Sequence, residues 1–360
     1  LAATETTVAV PAGARARRRT RSHRPLARFL ARRLGALVLL VIGITIVSFV
    51  LTQAVPGDPA LANLGQNPTP EAIQAFHEKY GLDDPLPQQY LTYMGHLLQG
   101  DLGTSQQTHQ PVTHDLGVSI PATAELALFS IVLSALFGIG LGVLAALRRD
   151  TAVDAGVRVV TLAGISLPMF WFGLLALYLL FFKWGILPGG GRMSPTVAPP
   201  PDVTGFDTID SLLAGDLGAF WDAFKHLIMP GLVLTAYNVS LIARYTRSAV
   251  LEVLHADYVR AARAKGLPDR VVVTRYILRG ALPSIVTVLG LVFASVLAGA
   301  VLVENIFSWP GIGQYAYKSA VSLDLPAIMG VSIFIALVYV IINLVVDLLY
   351  AAIDPRVRLS

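Results

Sequence analysis

The chain has 360 residues, of which 54% are hydrophobic and only 14% charged; it contains no cysteine and carries a formal net charge of +4. A soluble domain carries roughly a quarter charged residues, so this composition excludes an ordinary soluble enzyme, and the missing cysteines exclude disulfides and thiolate metal sites. The basic excess does not call for nucleic acid, because the arginines flank apolar runs, where a membrane accounts for them.

Six segments reach the roughly 20 apolar residues that a helix needs to cross the hydrocarbon core. The sequence therefore predicts an all-α integral membrane protein with six transmembrane helices. An Arg-rich tail, 1–33, precedes the first span at 34–55. That apolar run is longer than a signal-peptide core and no clean cleavage site follows it, so an uncleaved anchor is expected. An acidic external region, 56–122, contains "TPEAIQAFHEKYGL", a short helix opened by a Thr69 cap with Glu71 in its first turn. The second span, 123–146, places Glu125 in the first turn of its helix, where the macrodipole favours an anion. A short loop, 147–158, leads to the third span, 159–182, which contains Pro168. The Pro- and Gly-rich stretch 183–225 is expected to be an irregular external loop, with Gly189 to Gly191 a flexible turn. The fourth span, 226–243, is interrupted by Asn238 and Ser240, and polar residues of this kind face a bundle interior. A basic loop, 244–281, separates it from the fifth span, 282–303. The external loop 304–326, the sixth span, 327–350, and a short C-terminus, 351–360, complete the chain.

Charge sets the orientation. Of the 27 basic residues, all but Lys79, Lys183, Arg192, Lys225 and Lys318 fall in the N-terminal tail, the 147–158 loop, the 244–281 loop or the C-terminus. By the positive-inside rule, both termini are expected to be cytoplasmic.

Chemistry-bearing motifs are few. No lysine is preceded by glycine, so a Walker A loop cannot occur. His77 opens "HEKYG", which fails the H-E-x-x-H zinc pattern at its last position, and the seven histidines show no metal-ligand spacing. There is no G-x-S-x-G elbow. Glu125 and Asp347 are the acids within expected spans. A mid-bilayer charge costs about 2.5–3.5 kcal/mol on insertion scales, and both lie near span ends, where they either pair locally or line a polar path. Pro168, Pro230 and Pro283 break backbone hydrogen bonds in or beside spans. Glu125, Pro168 and Asn238 are the path-lining candidates.

The most informative stretch is "DYVRAARAKGLPDR", Asp257 to Arg270. Ala261, Ala262 and Gly266 are small, and Ala262 and Gly266 are four apart, on one helical face. Arg260, Arg263 and Lys265 rim that face, and Gly266 with Leu267-Pro268 ends the helix. Such a helix either inserts into a groove on a second protein or lies on anionic lipid.

This segment resembles the "EAA" loop of ABC-importer permeases, in which Ala-Ala, three residues and Gly form a docking helix for the ATPase. Ala261, Ala262 and Gly266 match. Arg260 stands where the general pattern has Glu, and Leu282-Pro283 lies further from the glycine than usual; both departures resemble the peptide-permease branch. "ARRLGALVLLVIGITIVSFVLTQAVPGDPA", "GLDDPLPQQYLTYMGHLLQGDLG", "PATAELAL", "SLPMFWFGLLALYLLF", "WGILPGGG" and "VLVENIFSWPGIGQYAYKSAV" also resemble, in this order, the B-type permease subunit of dipeptide/oligopeptide ABC importers. The resemblance covers about Ala27 to Val357. It implies the type I importer permease fold in a bacterial plasma membrane, with a homologous C-type permease as partner. It also implies two ATP-binding subunits or domains that hold ATP and Mg, and an extracytoplasmic protein that delivers peptide. This chain would then carry no catalytic residue, metal or cofactor of its own. The docking residues would be Tyr258, Arg260, Ala261, Ala262, Arg263, Lys265, Gly266 and Leu267. Trp309, Pro310, Gly311 and Gly313 would meet the binding protein or the mouth of the path, unless Trp309 is a membrane-interface belt residue. Two other classes fit the composition. An ion-coupled secondary transporter would show internal repeats and broken helices with buried acids. A membrane scaffold would co-purify without a Walker-containing ATPase.

Overall fold

The computed structural model describes residues 35–47, 49, 50, 60 and 68–353. The Arg-rich tail, the rest of the first expected span, and Arg356 and Arg358 lie outside the described residues, as does the side chain of Asp347.

All regular structure among the described residues is helical apart from one isolated bridge between Thr104 and Pro111. Helix α1 (Gly35–Val47) is apolar. It meets the helical stretch after residue 68 through Thr45, whose hydroxyl lies 2.9 Å from that of Tyr90. Helix α2 (Pro70–Tyr80) starts at the Thr69 cap, whose hydroxyl accepts from Ala72 N–H at 3.3 Å, and ends on Gly81 in the left-handed region. Helix α3 (Leu86–Leu98) follows.

Helix α4 (Val112–Leu147) begins eleven residues before the expected second span. The early turns escape a hydropathy reading because they contain His114, Asp115 and Pro121. Glu125 therefore lies well inside the helix rather than in its first turn, and the macrodipole argument does not apply to it.

The expected third span is broken. Helix α5 (Ala152–Ser166) and helix α6 (Met169–Ala176) meet at 98°. The cause is local. A residue before proline is driven out of the helical region, and Leu167, before Pro168, sits at ψ 128. Helix α6 continues into π-helical turns over Leu177–Lys183.

After a long ordered segment come α7 (Asp207–Leu213) and α8 (Leu217–Leu254). At 38 residues, α8 is about 57 Å long. It exceeds the roughly 30 Å hydrocarbon thickness and projects beyond it. It is also the most buried of the long apolar helices. Helix α9 (Asp257–Ala264) is followed by a short turn and π-helical turns over Val272–Ile277, which run into α10 (Leu278–Ile306). Helices α11 (Ile312–Val321) and α12 (Leu325–Ile353) end the described chain. Among the described residues, four helices can cross a membrane by length and composition, and the bent α5–α6 pair makes a fifth.

Helix α8 is the axis of the bundle, and small residues let its neighbours reach it. A β-carbon on Gly138 would stand 2.7 Å from Ile242 Cβ, and one on Gly142 would stand 2.6 Å from the Ala243 carbonyl oxygen. Gly164 of α5 meets Ser240 in the same way. The Gly138-x-x-x-Gly142 spacing is the small-residue pattern through which membrane helices approach backbone to backbone. Asn238 Nδ2 donates to Leu234 O at 2.8 Å and its Oδ1 accepts from Ser295 of α10 at 3.1 Å. Asn238 is buried. It joins α8 to α10.

Candidate functional site

At one end of α8, the chain turns into α9. Val259 and Ala262 are buried in a cluster with Ala146 of α4, Ala249 and Val250 of α8, and Val272, Ile277 and Ala281 at the start of α10. The helix is thus cemented to the ends of three long helices. Its last turn closes as a Schellman motif: Leu267 N–H donates to Ala262 O at 3.4 Å and Gly266 N–H to Arg263 O at 2.9 Å. Gly266 holds φ +73, which glycine adopts without steric cost. Leu267 then folds back onto the buried cluster.

The small-residue patch expected on one face is therefore split. Ala262 is 3% exposed and faces the protein's own core. Arg260, Ala261, Arg263, Lys265 and Gly266 are exposed and form a small, basic outer surface. Arg260 pairs with Asp257 in the first turn. Tyr258 is exposed along its ring, but its hydroxyl lies where a β-carbon of Gly280 would be, so that glycine lets α9 lie flat on the base of α10.

The other end of the bundle carries the "FSWPGIG" turn. Trp309 is 1% exposed. It packs among Leu126, Leu227, Met229, Val233, Val303 and Phe307, and its Nε1 donates to Ala122 O at 2.9 Å. The Trp309 side chain is thus enclosed by its own chain. Sequence reasoning missed its partner, Glu304. That carboxylate is fully buried, accepts from Thr123 Oγ1 at 2.6 Å, and accepts from Gln314 N–H at 2.9 Å in the first turn of α11. The Thr123 hydroxyl in turn accepts from Ile312 N–H at 2.8 Å. Gly311 and Gly313 are glycines for this reason. A β-carbon on Gly313 would stand 2.9 Å from Glu304 Oε2 and 2.5 Å from Val301 Cα, and Gly311 is crowded by Glu304 and Thr123. These glycines are buried and serve packing. Pro310 alone of the four is exposed.

Above Trp309, residues 185–216 form an ordered cap, although most of this stretch lacks regular secondary structure. Arg192 is the pin. Its Nη2 donates to Glu125 Oε2 and to Gly205 O, both at 2.7 Å, its Nε lies 3.1 Å from Asp207 Oδ2, and its guanidinium sits 5.8 Å from the Trp309 ring centre. Glu125 Oε1 accepts from the Thr208 hydroxyl at 2.6 Å and from its N–H at 2.9 Å. Glu125 thus pairs locally. Gly191 is held by its N–H to Phe307 O at 2.9 Å, so the glycine run is pinned rather than a free turn. Burial pushes the Asp210 carboxyl up, but bonds from the Thr204 hydroxyl and from the N–H groups of Thr204, Gly205 and Val203 outweigh it and hold it below its ordinary value. Burial raises Asp207 to about 6 against the attraction of Arg192.

Pro168 is exposed at the α5–α6 bend. Its neighbours Leu167 and Met169 line a mostly apolar cavity of about 340 Å³ bounded also by Phe137, Tyr237 and Ser240. Asn238 is likewise flanked by lining residues, Tyr237 and Val239. No cluster of three or more metal-ligating side chains occurs among the described residues.

The described residues thus form a bundle of long apolar helices around one axial helix, with a basic, Schellman-closed helix packed on one end and a cap held over the other by Arg192. Residues 138–359 match the family model of the binding-protein-dependent transport system inner membrane component, and residues 26–127 match the N-terminal model of the same transport systems. The chain belongs to this family of bacterial inner-membrane proteins. It is 44% identical over 328 residues to a probable D,D-dipeptide transport system permease of Escherichia coli, covering 91% of this chain and 96% of that one. It is 44% identical over 332 residues to a di/tripeptide transport system permease of Pseudomonas aeruginosa (92% and 98%). An oligopeptide transport system permease of Bacillus subtilis is 37% identical over 334 residues (92% and 100%). In fold it is similar to a chain of the inward-facing MetNI methionine ABC transporter, with a TM-score of 0.50 and 17% identity, covering 67% of this chain and 96% of that one.

Proposed function

We propose that this permease forms half of the translocation path for di- and oligopeptides in an ATP-driven importer, paired with a homologous C-type permease. Both termini lie in the cytoplasm and six helices span the membrane. An extracytoplasmic binding protein delivers the peptide, and two ATP-binding subunits or domains hold ATP and Mg. The observation that carries the peptide assignment is similarity along nine-tenths of the chain to permeases named for di-, tri- and oligopeptide transport.

The docking surface is the exposed side of α9: Arg260, Ala261, Arg263, Lys265 and Gly266. Small residues allow close approach, and the charges select an acidic groove. Because Val259 and Ala262 fix α9 to the ends of α4, α8 and α10, a displacement of the ATPase moves those helices as packed bodies. Trp309, Glu304 and the Arg192 pin hold the opposite end. Ser308 and Pro310 are the exposed residues of that turn left to contact a partner.

The test is reconstitution of the permease with the proteins that co-purify with it, followed by uptake of radiolabelled dialanine and trialanine. ATP-dependent uptake requiring a Walker-containing partner supports the assignment. Uptake driven by an ion gradient without that partner overturns it.

A further inference from the structure

Near the α9 end of the bundle, one buried ion pair stands apart from the packing described so far. Asp154, in the first turn of α5, is fully buried. Arg247 of α8 grips it with both arms of its guanidinium: Nε donates to Oδ1 at 2.7 Å and Nη2 to Oδ2 at 2.9 Å. Oδ2 also accepts from Asp150 N–H at 3.2 Å, which fastens the turn between α4 and α5 where Asp150 itself sits at φ +60. Arg158, one turn along, lies 3.6 Å away and is mostly exposed.

The position of this pair is what matters. Helix α9 is joined to α4, α8 and α10 by apolar side chains, but no residue of α5 belongs to that cluster. Helix α5 instead meets α8 at Gly164, where Ser240 crowds the backbone, and at Asp154. Past Gly164 the chain breaks at Pro168 and turns by 98° beside the cavity. A slip of α5 along α8 would alter that bend, and near the α9 end the ion pair opposes such a slip. A bidentate arginine–carboxylate contact has one geometry and cannot slide.

We propose that Asp154 and Arg247 are positioning residues for transport: they lock the bent α5–α6 pair to the helix that leads directly into the docking helix, so that movement of α9 reaches the bend beside the cavity. This rests on the permease assignment above. Neither residue lies on α9 or lines the cavity, so loss of the pair is expected to separate transport from ATP hydrolysis rather than abolish both.

The test uses the complete importer in proteoliposomes, with dialanine uptake and ATP hydrolysis measured on the same preparation. Asp154→Asn and Arg247→Lys each keep size and some hydrogen bonding while losing the bidentate charged contact. The expected result is intact assembly, near-normal hydrolysis, and uptake per ATP reduced about tenfold, within the range that coupling between two sites spans. The double exchange Asp154→Arg with Arg247→Asp is expected to recover part of the ratio, which a nonspecific packing defect would not do. Uptake and hydrolysis falling in parallel, an unchanged ratio, or loss of assembly in both single variants would each overturn the positioning role. Absence of ATP-driven uptake by the unaltered complex would instead overturn the permease assignment.

Discussion

Truncating Trp309 separates a packing role from a partner-contact role. Trp309→Ala removes an indole that is fully enclosed by Leu126, Leu227, Met229, Val233, Val303 and Phe307, and it deletes the Nε1 bond to Ala122 O. Large-to-small changes of this kind cost about 3–5 kcal/mol in soluble cores. In a membrane bundle the transfer part of that figure shrinks, because lipid is as apolar as the core, while the lost dispersion contacts remain. The lower end, about 3 kcal/mol, is therefore the expected loss. Trp309→Phe keeps most of the contacts and loses the indole hydrogen bond, worth about 0.5–1.5 kcal/mol. Thermal inactivation of the purified complex in detergent, followed by size exclusion, should rank the unaltered protein above Trp309→Phe and that above Trp309→Ala. A Trp309→Ala complex with unchanged thermal stability but impaired delivery by the binding protein would refute the buried assignment.

Ala262→Glu buries a carboxylate among Ala146, Val250 and Val272 and should detach α9 from its seat, read as permease recovered without its ATPase. Gly266→Ala meets no neighbour within 4 Å, so its cost is backbone strain alone, about 1 kcal/mol. Gly266→Asn, which tolerates the left-handed region, should be milder in thermal inactivation. The cap over Trp309 should tighten on acidification. The Asp207 carboxyl titrates near 6 in the fold against an ordinary 3.8, so between those values the folded chain binds the extra proton. Its ionisation therefore weakens the cap as pH rises through about 6. Hydrogen exchange over residues 203–210, corrected for intrinsic rates, should slow between about pH 7 and pH 5, and Asp207→Asn should flatten that change. Faster exchange at the acid end would contradict the sign.

Much of the helical bundle was legible as hydropathy, because a lipid-crossing helix must be apolar along its length. Its ends were less so. The first turns of α4 are polar and contain Pro121, and α8 extends past the apolar run at both ends as far as Leu217 and Leu254. The bend was marked by Pro168 in the sequence, but only the fold shows that α5 and α6 turn by 98° there. The basic, glycine-ended character of α9 could be read directly, whereas the inward turn of Ala262 depends on contacts with three distant helices. Glu304, Arg192, Asp154 and Arg247 escaped notice for the same reason. Each has a main partner distant in sequence: Glu125 lies 67 residues from Arg192, Arg247 lies 93 from Asp154, and Thr123 lies 181 from Glu304. Gly138-x-x-x-Gly142 was the available signal for the α4–α8 contact.

The most direct measurement uses the absence of cysteine from the chain. A single Arg263→Cys variant, on the exposed side of α9, gives one defined attachment point for a short thiol-directed cross-linker in the assembled importer. Capture of the nucleotide-hydrolysing subunit at that position is the predicted result. Free labelling of the thiol in the intact complex, with no subunit captured, would contradict the account.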